Sequence, residues 1–222
     1  MFNSGILDVA VGLIAVFILV STVCTAVREA IESKLKTRAA YCHYAICELL
    51  GDLKGTGIAA EFFKHPLISS LYKTIEGQGF APAPPSLLAS GGNMPSYVPA
   101  RSFATALIDV VARSSRGPHG HTAPVSFASL RARAQTYKGS EHVRTALLSA
   151  LDNAQGDLRS AREQLERWFD STMDRVSGWY KRSTQTIIFA IAVAVTGALN
   201  IDAIAIAETL YRDQATRAAV VA

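Results

Sequence analysis

Two apolar runs bracket a polar, periodic middle. Ile6 to Val27 carries one charged residue, Asp8, and Thr184 to Ala207 carries one, Asp202. About twenty apolar residues match the ~30 Å hydrocarbon layer of a bilayer, so the pattern predicts a first span over 6–27 and a second over 183–202. No Gly or Pro falls between Gly12 and Gly51, and Val27, Ile31, Leu35, Cys42, Ile46 and Leu49 keep a helical spacing. This predicts one helix from about residue 5 to 50, roughly 68 Å long at 1.5 Å per residue. Half of it would project beyond the membrane, with Gly51, Gly55 and Gly57 ending it.

The middle reads as shorter helices between loops. Ile58 to Gly77 predicts one or two helices interrupted at His65-Pro66, because proline disfavours a helical residue before it. Gly77 to Pro99 is rich in Pro and Gly and predicts a loop; Ser114 to Pro124 predicts another. Between them, Pro99 opens a helix over 100–113 with Phe103, Leu107, Val110 and Val111 on its buried face. Helices follow over 126–136 and from an N-cap at Ser140. From Leu151 the spacing becomes heptad-like: Leu151, Leu158 and Leu165 alternate with Ala154, Ala161 and Trp168, with Gly156 as the weak point. This stripe, including Leu158, is expected to run antiparallel to the Val27–Leu49 stripe, including Leu35, in a hairpin that continues from lipid into water.

Charge fixes the expected orientation. Of the 22 Lys and Arg, all but Arg212 and Arg217 lie between the two apolar runs; all but four of the 18 acids lie there too. Arg28, Lys34, Lys36 and Arg38 follow the first run, and Arg175, Lys181 and Arg182 precede the second. The positive-inside rule accounts for both clusters, so residues 28–182 are expected in the cytoplasm, the N-terminus outside, and no nucleic acid needs to be invoked. Met1 to Gly5 lacks the basic start of a secretory signal. Val23 before Cys24 does not fit a lipoprotein site, and cysteines on a reducing face predict no disulfides.

The second apolar run has features of its own. Trp179, Tyr180, Lys181 and Arg182 suit a membrane interface. Ala190, Ala194 and Ala198 fall on one helix face, where small residues permit close packing in lipid; the first span of the same chain is the expected partner, with self-association as the alternative. Asn200 and Asp202 mark the span's end. Either Asn200 or Asp202 reads as the N-cap of an outer helix over 203–217; the less simple reading of Asp202 is an ion-pathway carboxylate. The final Ala218-Ala219-Val220-Val221-Ala222 has no terminator, so the natural chain is expected to continue beyond residue 222.

His65-Pro66-Leu67-Ile68-Ser69-Ser70-Leu71, Pro95-Ser96-Tyr97-Val98-Pro99-Ala100-Arg101-Ser102-Phe103-Ala104, and Trp168-Phe169-Asp170 through Trp179-Tyr180-Lys181-Arg182 to Asn200-Ile201-Asp202 form a combination that resembles a group of uncharacterised bacterial inner-membrane proteins. The resemblance implies a multi-span membrane protein, with further spans beyond residue 222, and it implies no activity.

Chemistry is sparse. Cys42 and Cys47 lie about 140° apart on a helix and cannot converge on one ion unaided; His119 and His121 sit in a predicted loop. No nucleophile elbow or phosphate-cradling glycine motif occurs. Trp168, Phe169, Asp170, Asp174 and Arg175 form the candidate partner surface. Its simpler reading puts Trp168 in the helix stripe, with Asp170, Asp174 and Arg175 facing water. The sequence therefore predicts an all-α integral membrane protein with two transmembrane helices whose long helices extend into a cytoplasmic helical domain, followed by an outer helix over 203–222. The expected function is a non-enzymatic scaffold without cofactor or metal, partnered by the bilayer and a cytoplasmic protein. A subunit of an oligomeric channel or transporter is the alternative.

Overall fold

The computed structural model describes residues 5–72, 86, 88–113, 125–213, 215 and 219. These residues are helical, with no strand among them. The chain divides into two compact units: Leu35–Arg182, and a second composed of Met1–Lys34 with Ser183–Ala222.

The expected helix over 5–50 is two helices. α1 runs Gly5–Leu35 and α2 runs Thr37–Leu49. Between them Lys36 adopts φ 51°, ψ 47°, the left-handed region that L-residues other than Gly, Asn and Asp seldom enter. Contacts from a distant loop hold it there. Gly91 N donates to Leu35 O at 2.8 Å, and Lys36 Nζ donates to Gly92 O at 2.8 Å. A Cβ on Gly91 would press on Lys36 O and lie 2.7 Å from Ala39 Cβ and 2.8 Å from Ala40 N. These are mostly backbone atoms and cannot turn away. Gly91→Ala should therefore expel this loop and cost roughly 2–3 kcal/mol, read as a lowered urea midpoint with faster proteolysis near residue 36.

Most of the rest of the Leu35–Arg182 unit packs around a main core, beside a smaller cluster of Tyr41, Ala45 and Val176. α3 (Ile58–Lys64) and α4 (Pro66–Ser69) are separated at His65, which is extended at φ −61°, ψ 134°, as the following proline requires. Asp52 Oδ2 accepts from Gly57 N at 2.7 Å and Ala59 N at 3.0 Å, binding the glycine-rich turn to the start of α3. His65 Nε2 lies 3.3 Å from Asp109 Oδ2 on α5 (Ala100–Arg113). Phe103, Leu107, Val110 and Val111 of α5 are buried, as the periodicity predicts. α6 (Phe127–Thr136) and α7 (Glu141–Asn153) start at the N-caps Ser126 and Ser140; Ser140 Oγ accepts from Val143 N at 3.3 Å.

α7 does not run into the next helix. Gln155 and Gly156 take positive φ values of 49° and 95°, and Asp157 then accepts from Arg159 N and Ser160 N to start α8 (Leu158–Ala198, 41 residues). Ala161 and Leu165 keep the counted spacing across this turn. α8 buries Ala161, Leu165, Phe169, Thr172, Val176, Ser183 and Ile187, one stripe along its length. Phe169 replaces Trp168 as the core residue; Trp168 is half-buried, and so are Leu35 and Leu158. Among the described residues, Cys42, Ile46 and Leu49 of α2 share a core with Ala161, Leu165 and Phe169 of α8.

In the other unit, α1 is by itself long and apolar enough to cross a membrane. The second apolar run meets that criterion only as a pair, α8 with α9 (Ala203–Arg212), bent by 53° at the break between them. Within this unit Arg28 is buried, bonded to Glu32 at 3.0 Å and to Thr184 Oγ1 at 3.3 Å, beside buried Cys24, Ser183 and Ile187. The predicted loops over 77–99 and 114–125 fall largely outside the described residues, as do His119, His121 and most of the chain after Asp213.

Candidate functional site

Within the Leu35–Arg182 unit, α2, α7 and α8 border an open groove of about 660 Å³. Small side chains line part of it, Ala45 on α2 with Ala146 and Ala150 on α7, beside Leu49 on α2 and Leu165 on α8. The rest of the lining is mixed: Glu48 on α2, Gln164, Trp168 and Arg175 on α8, and Asn153 at the end of α7. A volume in the 300–1,000 Å³ range with apolar side chains and a few polar groups is typical of a binding cleft.

The structure separates the residues of the candidate surface. Trp168 and Arg175 line the groove. Phe169 does not: it is 1% exposed and its ring stacks on Phe103 at 4.3 Å and 22°. Trp168 meets the same Phe103 edge-on at 6.2 Å, so one side of the indole is fixed by the core. Asp170 and Asp174 are exposed. Arg175 holds its guanidinium 5.9 Å from the centre of the Trp179 ring, a cation–π arrangement that limits where it points. Tyr180 packs edge-on against Tyr41 at 6.0 Å, in a small cluster with Ala45, Val176 and Trp179, while Lys181 and Arg182 are exposed. Two of the four expected interface residues thus also pack within the helical body. The contribution of α7 to the groove was not read from the sequence; the spacing of Ala146, Ser149, Ala150 and Asn153 on one helix face was its available signal.

Cys42, His43 and Cys47 lie in the interior of the same unit. Burial pushes the Cys42 thiol up to about 11 and the Cys47 thiol up to about 12, with Asp52 adding to the latter. It also pushes the His43 imidazole down to about 4. All three are neutral near pH 7, and a protonated thiol is a poor nucleophile and a poor metal ligand. His43 stacks on Phe63 at 4.4 Å, and its Nε2 has no hydrogen-bond partner. Among the described residues no cluster of three or more His, Cys, Asp or Glu is arranged to hold a metal ion.

In the other unit, Ala190, Ala194 and Ala198 are exposed, and a Cβ on Gly197 would meet nothing within 4 Å. The contact shown with α1 is Thr184 to Arg28, on the side of the buried Ser183 and Ile187 and not of the exposed alanines, so the expectation that the alanine face packs on the first span is corrected. Asn200 takes φ 48° after α8, and Asp202 caps α9, its Oδ1 accepting from Ile204 N at 2.8 Å and Ala205 N at 3.2 Å. No family model matches the chain, and no curated protein or solved structure matches it.

Proposed function

We propose that this protein is a non-enzymatic scaffold of a bacterial inner membrane. The apolar segments anchor it with the N-terminus outside, and residues 28–182 present a helical body to a protein partner in the cytoplasm. The groove between α2, α7 and α8 carries the reading. It offers apolar side chains beside a Trp and an Arg, two of the residue types that dominate binding energy at protein interfaces. An amphipathic helix, which lays an apolar face into such a groove, is the proposed form of the partner. The apolar character of α1 and the concentration of bases between the two apolar runs support the membrane placement.

Site-specific photocrosslinking in cells tests it. A photoreactive residue at Ser149 or Gln164, in the groove, should give one discrete protein adduct, and one at Arg113, outside the groove, should not. Trp168→Ala should reduce the adduct by about tenfold, the effect of losing roughly 1.4 kcal/mol of binding. Equal adducts from groove and control positions would reject the scaffold reading.

The exposed alanine face favours a second reading, a subunit of an oligomeric channel or transporter. Positions four apart on a helix are neighbours, so Ala194→Leu adds bulk to the middle of that face. In an oligomer held there, the substitution should abolish self-crosslinking in membranes while the monomer stays folded. In the scaffold it should change nothing.

A further inference from the structure

We infer that the chain from Ser183 to Arg212 is one broken transmembrane span, with its break, Leu199–Asp202, lodged inside the bilayer and α9 completing the crossing. The inference rests on the membrane reading above and revises one part of it: α9 is in the hydrocarbon and not in the water outside.

Length is the first argument. Residues 183–198 of α8 make only about 24 Å of helix, short of the ~30 Å hydrocarbon layer. The unit that holds this segment contains α1 only up to Lys34, and Arg28 touches Thr184. α1 extends roughly 35 Å from Arg28 to Gly5, whereas α8 extends roughly 21 Å from Thr184 to Ala198. The ten residues of α9, inclined at 53°, add about 9 Å along the same direction, and the break adds several more. Together α8 and α9 match α1. Gly12 of α1 and Leu210 of α9 are both buried.

The backbone at the break is the second argument. Lipid tolerates an interrupted helix only where the freed N–H and C=O groups find partners within the protein. Here Leu199 N donates to Val195 O at 3.0 Å, Ile201 N to Thr196 O at 3.0 Å and Asn200 N to Gly197 O at 3.3 Å. The last two bonds, with Asn200 in the left-handed region, close the C-terminus of α8 in a Schellman motif. On the other side Asp202 takes Ile204 N and Ala205 N on its side chain and Ile206 N on its carbonyl, at 3.0 Å. The N–H groups of residues 199–201 and 204–206 are thus bonded within the chain.

Side-chain chemistry is the third. Phe189, Val193, Leu199 and Ile204 are exposed, on both sides of the break, and so are Phe17, Ile18 and Leu19 of α1. Hydrocarbon covers all of them if α9 is inside the layer; a water-side α9 leaves Leu199 and Ile204 uncovered.

The test is depth, measured on the full chain in phosphatidylethanolamine–phosphatidylglycerol vesicles. A small fluorescent amino acid is placed singly at Phe17, Ile204 or Arg212 and quenched from the lipid side by brominated acyl chains or from the water side by iodide. Phe17 and Ile204 should both respond to brominated lipid, and iodide quenching at Ile204 should be several-fold weaker than at Arg212, as expected for a residue inside the ~30 Å layer. Iodide quenching at Ile204 equal to that at Arg212, with Phe17 protected, would overturn the broken span and leave the anchor intact. Iodide access at Phe17 as well would remove the membrane reading itself. Ile204 is 74% exposed, so the probe replaces no packed side chain. Leu199, 65% exposed, serves as a second position on the other side of the break, with the same result expected.

Discussion

Phe103→Ala should lower the stability of the helical body by about 3–5 kcal/mol, the range for removing a fully buried aromatic side chain from a packed core. Phe103 is 0% exposed and sits where three helices meet: its ring stacks on Phe169 of α8 at 4.3 Å, lies 5.2 Å from Phe62 of α3 and meets Trp168 at 6.2 Å. Both tryptophans of the chain, Trp168 and Trp179, belong to this unit, so their fluorescence reports its unfolding in urea in detergent micelles. Phe169→Ala should cost a similar amount. The double variant should cost less than the sum, because the two rings stack on each other and share what is lost. A midpoint shift worth less than about 1 kcal/mol for Phe103→Ala would mean that α5 is not the centre of this core.

The same comparison revises the stripes read from spacing. Leu35 and Leu158 are half-buried, so an aspartate at either can turn toward water and should cost far less than Phe103→Ala. Spacing located α5 correctly because Phe103, Leu107, Val110 and Val111 lie on an uninterrupted helix whose start is set by Pro99. It located the caps at Ser140 and Asp202 because those side chains act within three residues of themselves. It did not locate the turn at Lys36. Nothing near a lysine announces a left-handed conformation; the cause is Gly91 and Gly92, far along the chain and docked against the end of α1. Nor did it place Phe169. Ala161 and Leu165 are buried where the heptad count puts them, but the count then steps three residues to Trp168 whereas the buried stripe Ala161, Leu165, Phe169 keeps steps of four, a shift of one residue. That shift leaves the indole half-buried at the lip of the groove, available to a partner while Phe103 holds one side of it. The alanine face was legible as a pattern but not in its direction, because the buried face of α8 continues through Ser183 and Ile187 the stripe that begins at Ala161 and leaves the alanines exposed.

Acid should weaken the helical body through His43. The imidazole is 3% exposed, stacked on Phe63, and its Nε2 has no hydrogen-bond partner, so nothing compensates a charge placed on it. Its pKa is held down to about 4 by burial, against 6.5 for the free side chain. Below 6.5 the unfolded chain binds a proton that the folded one refuses, and stability falls as pH falls. The contribution is complete above about pH 6.5, declines through the window down to about pH 4, and is gone below it; the whole is worth roughly 3 kcal/mol at 1.36 kcal/mol per unit. On the alkaline side the sign reverses. Cys42 and Cys47 keep their protons when folded to about 11 and about 12, so above pH 9 the unfolded chain loses protons first and stability falls as pH rises. Urea midpoints followed by tryptophan fluorescence should therefore form a plateau near neutrality with shoulders on both sides. His43→Leu removes the ionisation while keeping an apolar side chain of similar size. It should cost less than about 1.5 kcal/mol at pH 7.5 and should flatten the acid shoulder between pH 6.5 and 4.5, leaving the alkaline one in place. An acid shoulder unchanged by His43→Leu would assign it to the carboxylates instead and place the imidazole within reach of water.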